Sequence, residues 1–167
     1  MRSTLERSLT RWVFTTALVC CLILIGFNTP AWASPDAYVD KYLDAAEPVA
    51  LNFNQQGDSR LFSADDLSEG KQLFEENCIN CHVGGSTLPD PTVSLSLDAL
   101  HGASPPRDNI SNLVQYLRLP MTYDGSEETY WCRQVPESWM SDSEVENLSA
   151  FILRAAQKAP GWGTSKF

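Results

Sequence analysis

The sequence predicts a mainly α, single-domain protein with a loop-rich middle. Two helix starts frame that prediction. Ser63-Ala64-Asp65-Asp66 precedes Leu67, Gly70 and Phe74 at three-to-four-residue spacing, and Ser141 with Glu144 precedes the stripe Val145, Leu148, Phe151-Ile152 and Ala155. Length is the third observation. The chain has 167 residues, and removal of an N-terminal export signal leaves about 134, enough for one ordinary domain and too few for a two-domain enzyme.

Residues 1–33 carry the marks of that signal. Arg2, Arg7 and Arg11 form a positive n-region, Trp12 to Phe27 is almost unbrokenly apolar, and Ala31-Trp32-Ala33 puts small residues where a signal peptidase reads them. Cleavage after Ala33 is expected. A retained membrane anchor is the alternative, but a spanning helix needs about 20 apolar residues and this run is shorter. No Arg-Arg pair precedes it, which favours export of the unfolded chain, with any cofactor inserted afterwards. Residues 34–62 read as an N-terminal extension: a short helix around Tyr38 to Ala46, a break at Pro48, and the extended-looking run Val49 to Phe53.

Residues 63–167 then form the main domain. Its first helix runs from Ser63 into the cysteines, after which Gly84-Gly85, Pro89 and Pro91 break regular structure. Asp108 or Asn109 caps a helix through Leu113, Val114 and Leu117 that Pro120 stops. Between Pro120 and Trp139 the chain reads as loop, and the last helix ends before Pro160-Gly161. Gly70 and Phe74 on the first helix and Phe151 on the last suit a close crossing: a glycine for backbone approach, aromatic rings for area.

Charge excludes some functions. Twelve Lys and Arg stand against 21 Asp and Glu, a formal net charge of −9; losing Arg2, Arg7 and Arg11 together with Glu6 takes the mature chain to about −11. Such a surface repels phosphates and acidic lipid, which argues against nucleic acid and leaves only peripheral membrane association through protein partners. A partner with a basic or mixed face would be attracted at long range, less so as salt rises.

Of five cysteines, Cys20 and Cys21 leave with the signal. Cys78, Cys81 and Cys132 remain, an odd number that internal disulfides do not exhaust. Cys78-Ile79-Asn80-Cys81-His82 is C-x-x-C-H, the attachment pattern for c-type haem. Two thiols at this spacing can each form a thioether to a vinyl group while the adjacent His offers a ring nitrogen to iron. At this chain's Cys and His content the pattern arises by chance roughly 0.002 times, so it is specific. Zinc held by Cys78, Cys81, His82, His101 or Cys132 is weaker, because zinc clusters usually show a second tight pair. A redox-active Cys78–Cys81 disulfide would call for a thioredoxin-like βαβ pattern that the chain does not show. The expected cofactor is one covalent haem c, held by Cys78 and Cys81 with His82 as an axial ligand, and the expected fold is a cytochrome c fold. In so small a domain the apolar ring replaces much of the missing core.

Candidates for the second axial ligand are His101, Met121, Cys132 and Met140. A Met in the loop before the last helix is the general expectation for a small cytochrome c, which favours Met140 or Met121 and a raised potential. His101 follows His82 too soon to have rounded the ring edge. Cys132 is an unpaired thiol in an oxidising compartment; on ferric iron it would be a thiolate whose charge stabilises Fe(III) and lowers the potential. Spacing does not choose between Cys132 and Met140.

Further strings resemble a known family. They are Glu69-Gly70-Lys71-Gln72-Leu73-Phe74, Cys78 to Gly85, Pro105-Pro106-Arg107-Asp108-Asn109, Leu113-Val114 with Tyr116, Thr122-Tyr123-Asp124-Gly125, and the Trp162-Gly163 tail. Together, over about residues 60 to 167, they resemble the cytochrome c-550 family, extrinsic low-potential cytochromes on the lumenal face of photosystem II in cyanobacteria and some algae. Shortly after Thr-Tyr-Asp-Gly that family places a His, followed by Pro and Ser, as the second iron ligand. This chain has Tyr130-Trp131-Cys132-Arg133 instead, which resembles a paralogous c-550-like branch that holds haem through His and Cys. The resemblance implies Cys78 and Cys81 as thioethers, His82 as proximal ligand and Cys132 as distal ligand in place of the His, with Met140 the alternative.

It also implies an electron-transfer protein of low potential rather than an enzyme. The place it implies is the thylakoid lumen, peripheral on the lumenal side of the membrane, with photosystem II lumenal proteins or another lumenal redox protein as partners. Two other functions stay open: an extrinsic subunit that stabilises photosystem II, and a haem sensor or peroxidase-like protein in which Cys132 dissociates from the iron. No Ser-His-Asp set, phosphate loop or paired-carboxylate motif supports another enzyme class.

Overall fold

The structure is a computed structural model that describes residues 34–89 and 91–164, together with Trp12. The expected export signal, that one residue apart, lies outside the described residues. Among the described residues are five α-helices and one antiparallel hairpin, so the domain is mainly helical as expected.

Helix α1 (Ala37–Leu43) starts where the Asp36 carboxylate accepts the Tyr38 N–H at 2.7 Å. It ends earlier than Ala46 because Asp44 turns out of the helix at a φ of 52°. Arg154, from the last helix, donates to the carbonyls of Leu43 at 2.6 Å and Asp44 at 2.9 Å. Helix ends leave such carbonyls without intrahelical partners. Val49 to Phe53 becomes strand β1 (Val49–Asn52), paired with β2 (Ser59–Phe62) in the register Val49 opposite Phe62. β2 had no signature in the sequence: Ser59, Arg60 and Leu61 are exposed and only Phe62 is buried, so no apolar alternation marks it. The turn creates it, with Asn54 Oδ1 accepting from the N–H groups of Gln56 and Asp58.

Helix α2 (Ala64–Asn77) opens on a reciprocal box in which Ser63 Oγ accepts the Asp66 N–H and Asp66 accepts the Ser63 N–H. A short helix, α3 (Leu97–Gly102), stands in the middle where loop was expected. Capped by Ser96, it is too short for periodicity to reveal it. Of the two candidate caps for α4 (Ile110–Arg118), Asn109 is the one used, accepting the Asn112 N–H at 3.0 Å. From Pro120 to Trp139 the chain is irregular apart from one bridge between Met121 and Glu128. Helix α5 (Asp142–Lys158) opens with the expected Ser141–Glu144 box and stops before Pro160.

Helices α2 and α5 cross at Gly70, as its pairing with Phe74 and Phe151 predicted. A Cβ on Gly70 would lie 2.0 Å from the Asn147 carbonyl oxygen and 2.9 Å from Phe151 Cβ. The Phe74 and Phe151 rings meet with centroids 5.5 Å apart, and the Asn147 amide donates to Glu69 at 2.7 Å. Val39, Leu43, Leu51 and Phe62 join Leu67, Leu148 and Leu153 in one core, so residues 34–62 pack with the rest rather than trail from it. Because the obstruction at Gly70 is backbone, Gly70→Ala is expected to cost about 3 kcal/mol. Thermal unfolding checks this, and an unchanged Tm would contradict the crossing.

Candidate haem site

The motif winds into one tight turn at the end of α2. Cys78 caps that helix, its N–H donating to the Phe74 carbonyl at 2.8 Å, and its own carbonyl accepts the N–H groups of Cys81 at 3.1 Å and His82 at 3.0 Å. Cys78, Cys81 and Cys132 are all free thiols. Among the described residues no group of three or more His, Cys, Asp or Glu is arranged to hold a bare metal ion, so these side chains are not gathered as a zinc cluster would gather them.

The His82 ring is held in one tautomer. Burial keeps its pKa below the usual imidazole value, so the ring is neutral at pH 7. Nδ1 lies 3.0 Å from Thr87 Oγ1, and the single hydroxyl proton of Thr87 is donated to the Val93 carbonyl. The Thr87 oxygen is left to accept, so Nδ1 carries the ring proton and Nε2 keeps its lone pair for a metal. Nothing in the sequence pointed to Thr87, because the contact depends on the loop after the motif folding back.

The C-terminal tail grips that loop. Gly85, at a φ of 79°, lies against Trp162, whose indole a Cβ on Gly85 would meet at 2.5 Å. The Trp162 indole donates to the Leu95 carbonyl at 2.9 Å and packs 5.4 Å from the Phe74 ring and 5.7 Å from the Phe151 ring, centroid to centroid. The Gly163 N–H donates to the Gly84 carbonyl at 2.8 Å, and the Ser86 hydroxyl to the Thr164 carbonyl at 2.5 Å.

Cys132 comes from the irregular segment before α5 and is half-buried. Burial raises its pKa, Tyr116 and the charge of Arg107 oppose the rise, and Cys81 adds to it. Cys78 is pushed up to about 12, by burial first and then by the charges of Cys132 and Cys81. The three thiols are therefore electrostatic neighbours despite their separation in the chain. The other candidate ligands lie in different settings. Met140 is 2% exposed in the core, its carbonyl accepting from Arg118 at 2.9 Å. Met121 is half-buried, and its carbonyl accepts from Arg107. His101 is exposed and paired with Asp108 at 2.6 Å, which raises its pKa.

The segment Pro105 to Asn109 divides its roles. Asn109 caps α4, Asp108 holds His101, and Arg107 turns inward with its guanidinium 3.8 Å over the Tyr116 ring. The donor set suits a covalent haem: two free thiols on one turn, a neutral imidazole with Nε2 available, and a third thiol within electrostatic reach of the first two.

Comparison with known proteins agrees. The model of the cytochrome c-550 domain matches residues 39–167. A cytochrome c-550-like protein of Trichodesmium erythraeum is 56% identical over 159 residues, covering 95% of this chain and 96% of that protein. The photosystem II extrinsic protein V of Gloeobacter violaceus is 52% identical over 153 residues, 89% of this chain and 82% of that protein. The crystal structure of the PsbV2 cytochrome from Thermosynechococcus elongatus matches with a TM-score of 0.77 at 57% identity, over 78% of this chain and 100% of that one. The fold is thus cytochrome c-like, and the chain is a c-type cytochrome, a family of electron carriers rather than enzymes in which haem c is bound covalently. The resemblance carried by the sequence strings is borne out: the chain belongs to the cytochrome c-550 family.

Proposed function

We propose that this chain is a low-potential electron carrier of the thylakoid lumen. It holds one haem c through Cys78 and Cys81, with His82 and Cys132 as axial ligands. The mature protein begins at Ser34 and associates peripherally with lumenal proteins of photosystem II. What supports the ligand assignment is the place of Cys132, a free, half-buried thiol where the cytochrome c-550 family resemblance puts the second iron ligand, while Met140 lies in the core and His101 is exposed and paired with Asp108. The relatedness to photosystem II extrinsic protein V supports the partner. No helix among the described residues is long and apolar enough to cross a membrane.

When bound, the haem supplies a one-electron iron couple. The residues of the chain do the rest. Cys78 and Cys81 fix the group to the turn that Trp162 and Gly163 grip. Thr87 holds the His82 ring so that Nε2 is presented, and Cys132 offers an anionic sulfur that favours the ferric state. The acidic surface steers the protein toward a basic face. A potentiometric titration of the haem-loaded mature protein, paired with binding to photosystem II membranes across a salt series, tests the proposal. A potential below the His/Met range and binding that weakens with salt are expected. A potential within the His/Met range would overturn the ligand assignment, and salt-insensitive binding would overturn electrostatic docking.

A further inference from the structure

Resting on the assignment of Cys132 as an iron ligand, we propose that Arg118 is a positioning residue for it. By clasping the carbonyls of Val135 and Met140, the Arg118 guanidinium keeps the Cys132 loop closed on the end of α4 and so keeps the sulfur on the iron.

The starting observation is that both sides of the loop are tied to one place. On the entry side the Thr129 N–H donates to the Pro120 carbonyl at 2.9 Å. On the exit side the Val135 N–H donates to the Leu117 carbonyl at 2.8 Å, and the Gln134 amide to the Arg118 carbonyl at 2.9 Å. Leu117, Arg118 and Pro120 are neighbours at the C-terminal end of α4, so residues 130–133 arch between two feet on that end. Cys132 lies two residues from Gln134 and three from Thr129, so at about 3.5 Å of chain per residue its reach is set by where these feet stand.

Arg118 adds the charged ties on the exit side. Its Nη1 donates to the carbonyls of Val135 at 2.8 Å and Met140 at 2.9 Å, and its Nη2 to the Asp142 carboxylate at 2.7 Å. Val135 and Met140 are buried. A buried carbonyl left without a donor is costly, and a charged donor makes the stronger bond. The contact with Asp142 is of another kind, because that side chain is 77% exposed and an ion pair in water contributes little. The clasp on the two carbonyls is therefore what joins α4, the exit of the loop and the approach to α5.

Arg118→Met tests this in the haem-loaded mature protein, because the variant keeps an unbranched side chain and removes its donors. Cyanide binds ferric iron whose sixth position has opened, so its apparent affinity follows the open fraction. That affinity is expected to rise about tenfold, with part of the low-spin thiolate EPR signal replaced by a high-spin one. Gln134→Ala, at an exposed position, removes a smaller tie and is expected to raise the affinity about threefold. Asp142→Asn is expected to leave it unchanged. In a Cys132→Ala background, where the position is already open, Arg118→Met is expected to add nothing. A role in stability alone predicts a lower Tm with cyanide affinity and EPR signal unchanged in both Arg118→Met and Gln134→Ala, and would overturn the proposal. So would an equal rise in the Cys132→Ala background, or a rise in Asp142→Asn as large as that in Arg118→Met. A thiolate signature in the unsubstituted protein leaves the ligand assignment standing in each of these cases. Absence of that signature from the unsubstituted protein would overturn both.

Discussion

Replacing Cys132 by methionine is expected to raise the reduction potential of the haem-loaded protein by on the order of a few tenths of a volt, within the roughly 0.8 V that axial ligands command. An anionic sulfur stabilises Fe(III); a neutral thioether does not, so the ferrous state gains. Met140→Leu is the control. Met140 sits in the core with Val135 and Val145, so this near-isosteric change is expected to cost less than about 1.5 kcal/mol and to leave the potential unchanged. If instead Met140→Leu moved the potential and Cys132→Met did not, the two residues would exchange roles.

Trp162→Ala is expected to destabilise the protein by about 4 kcal/mol. The indole is the third ring of a cluster with Phe74 and Phe151, meeting Phe151 edge-on at 89°, so truncation opens a cavity at the crossing of α2 and α5. It also leaves the Leu95 carbonyl without the indole donor and uncovers Gly85. Because the same tail holds Gly84 and Ser86, the loss reaches the turn that presents His82. Denaturant unfolding gives the stability. Trp162→Phe, which restores most of the area and not the hydrogen bond, should recover the larger part. A change below about 1 kcal/mol for the alanine variant would mean that the tail is not part of the core.

The helices were readable because their signals are local. The Ser63 and Ser141 starts, the stripe on α5, and the pairing of Gly70 with Phe74 and Phe151 all express short-range rules of capping and periodicity. The elements that escaped follow other causes. β2 is dictated by the Asn54 turn rather than by its own side chains, and α3 is shorter than the window in which a period shows. The site divides in the same way. The C-x-x-C-H motif is contiguous and could be read directly, and Cys132 came from its place in a family pattern. Thr87 and the Arg107–Tyr116 pair depend on irregular loops folding back onto the neighbouring chain, for which neither spacing nor composition carries a signal.

Ligation by Cys132 is tested most directly by low-temperature EPR of the oxidised, haem-loaded mature protein. A low-spin spectrum with the narrow g-spread of thiolate ligation is expected. A wide spread would contradict it in favour of Met140 or another neutral ligand, and a high-spin signal would show an iron that Cys132 does not hold.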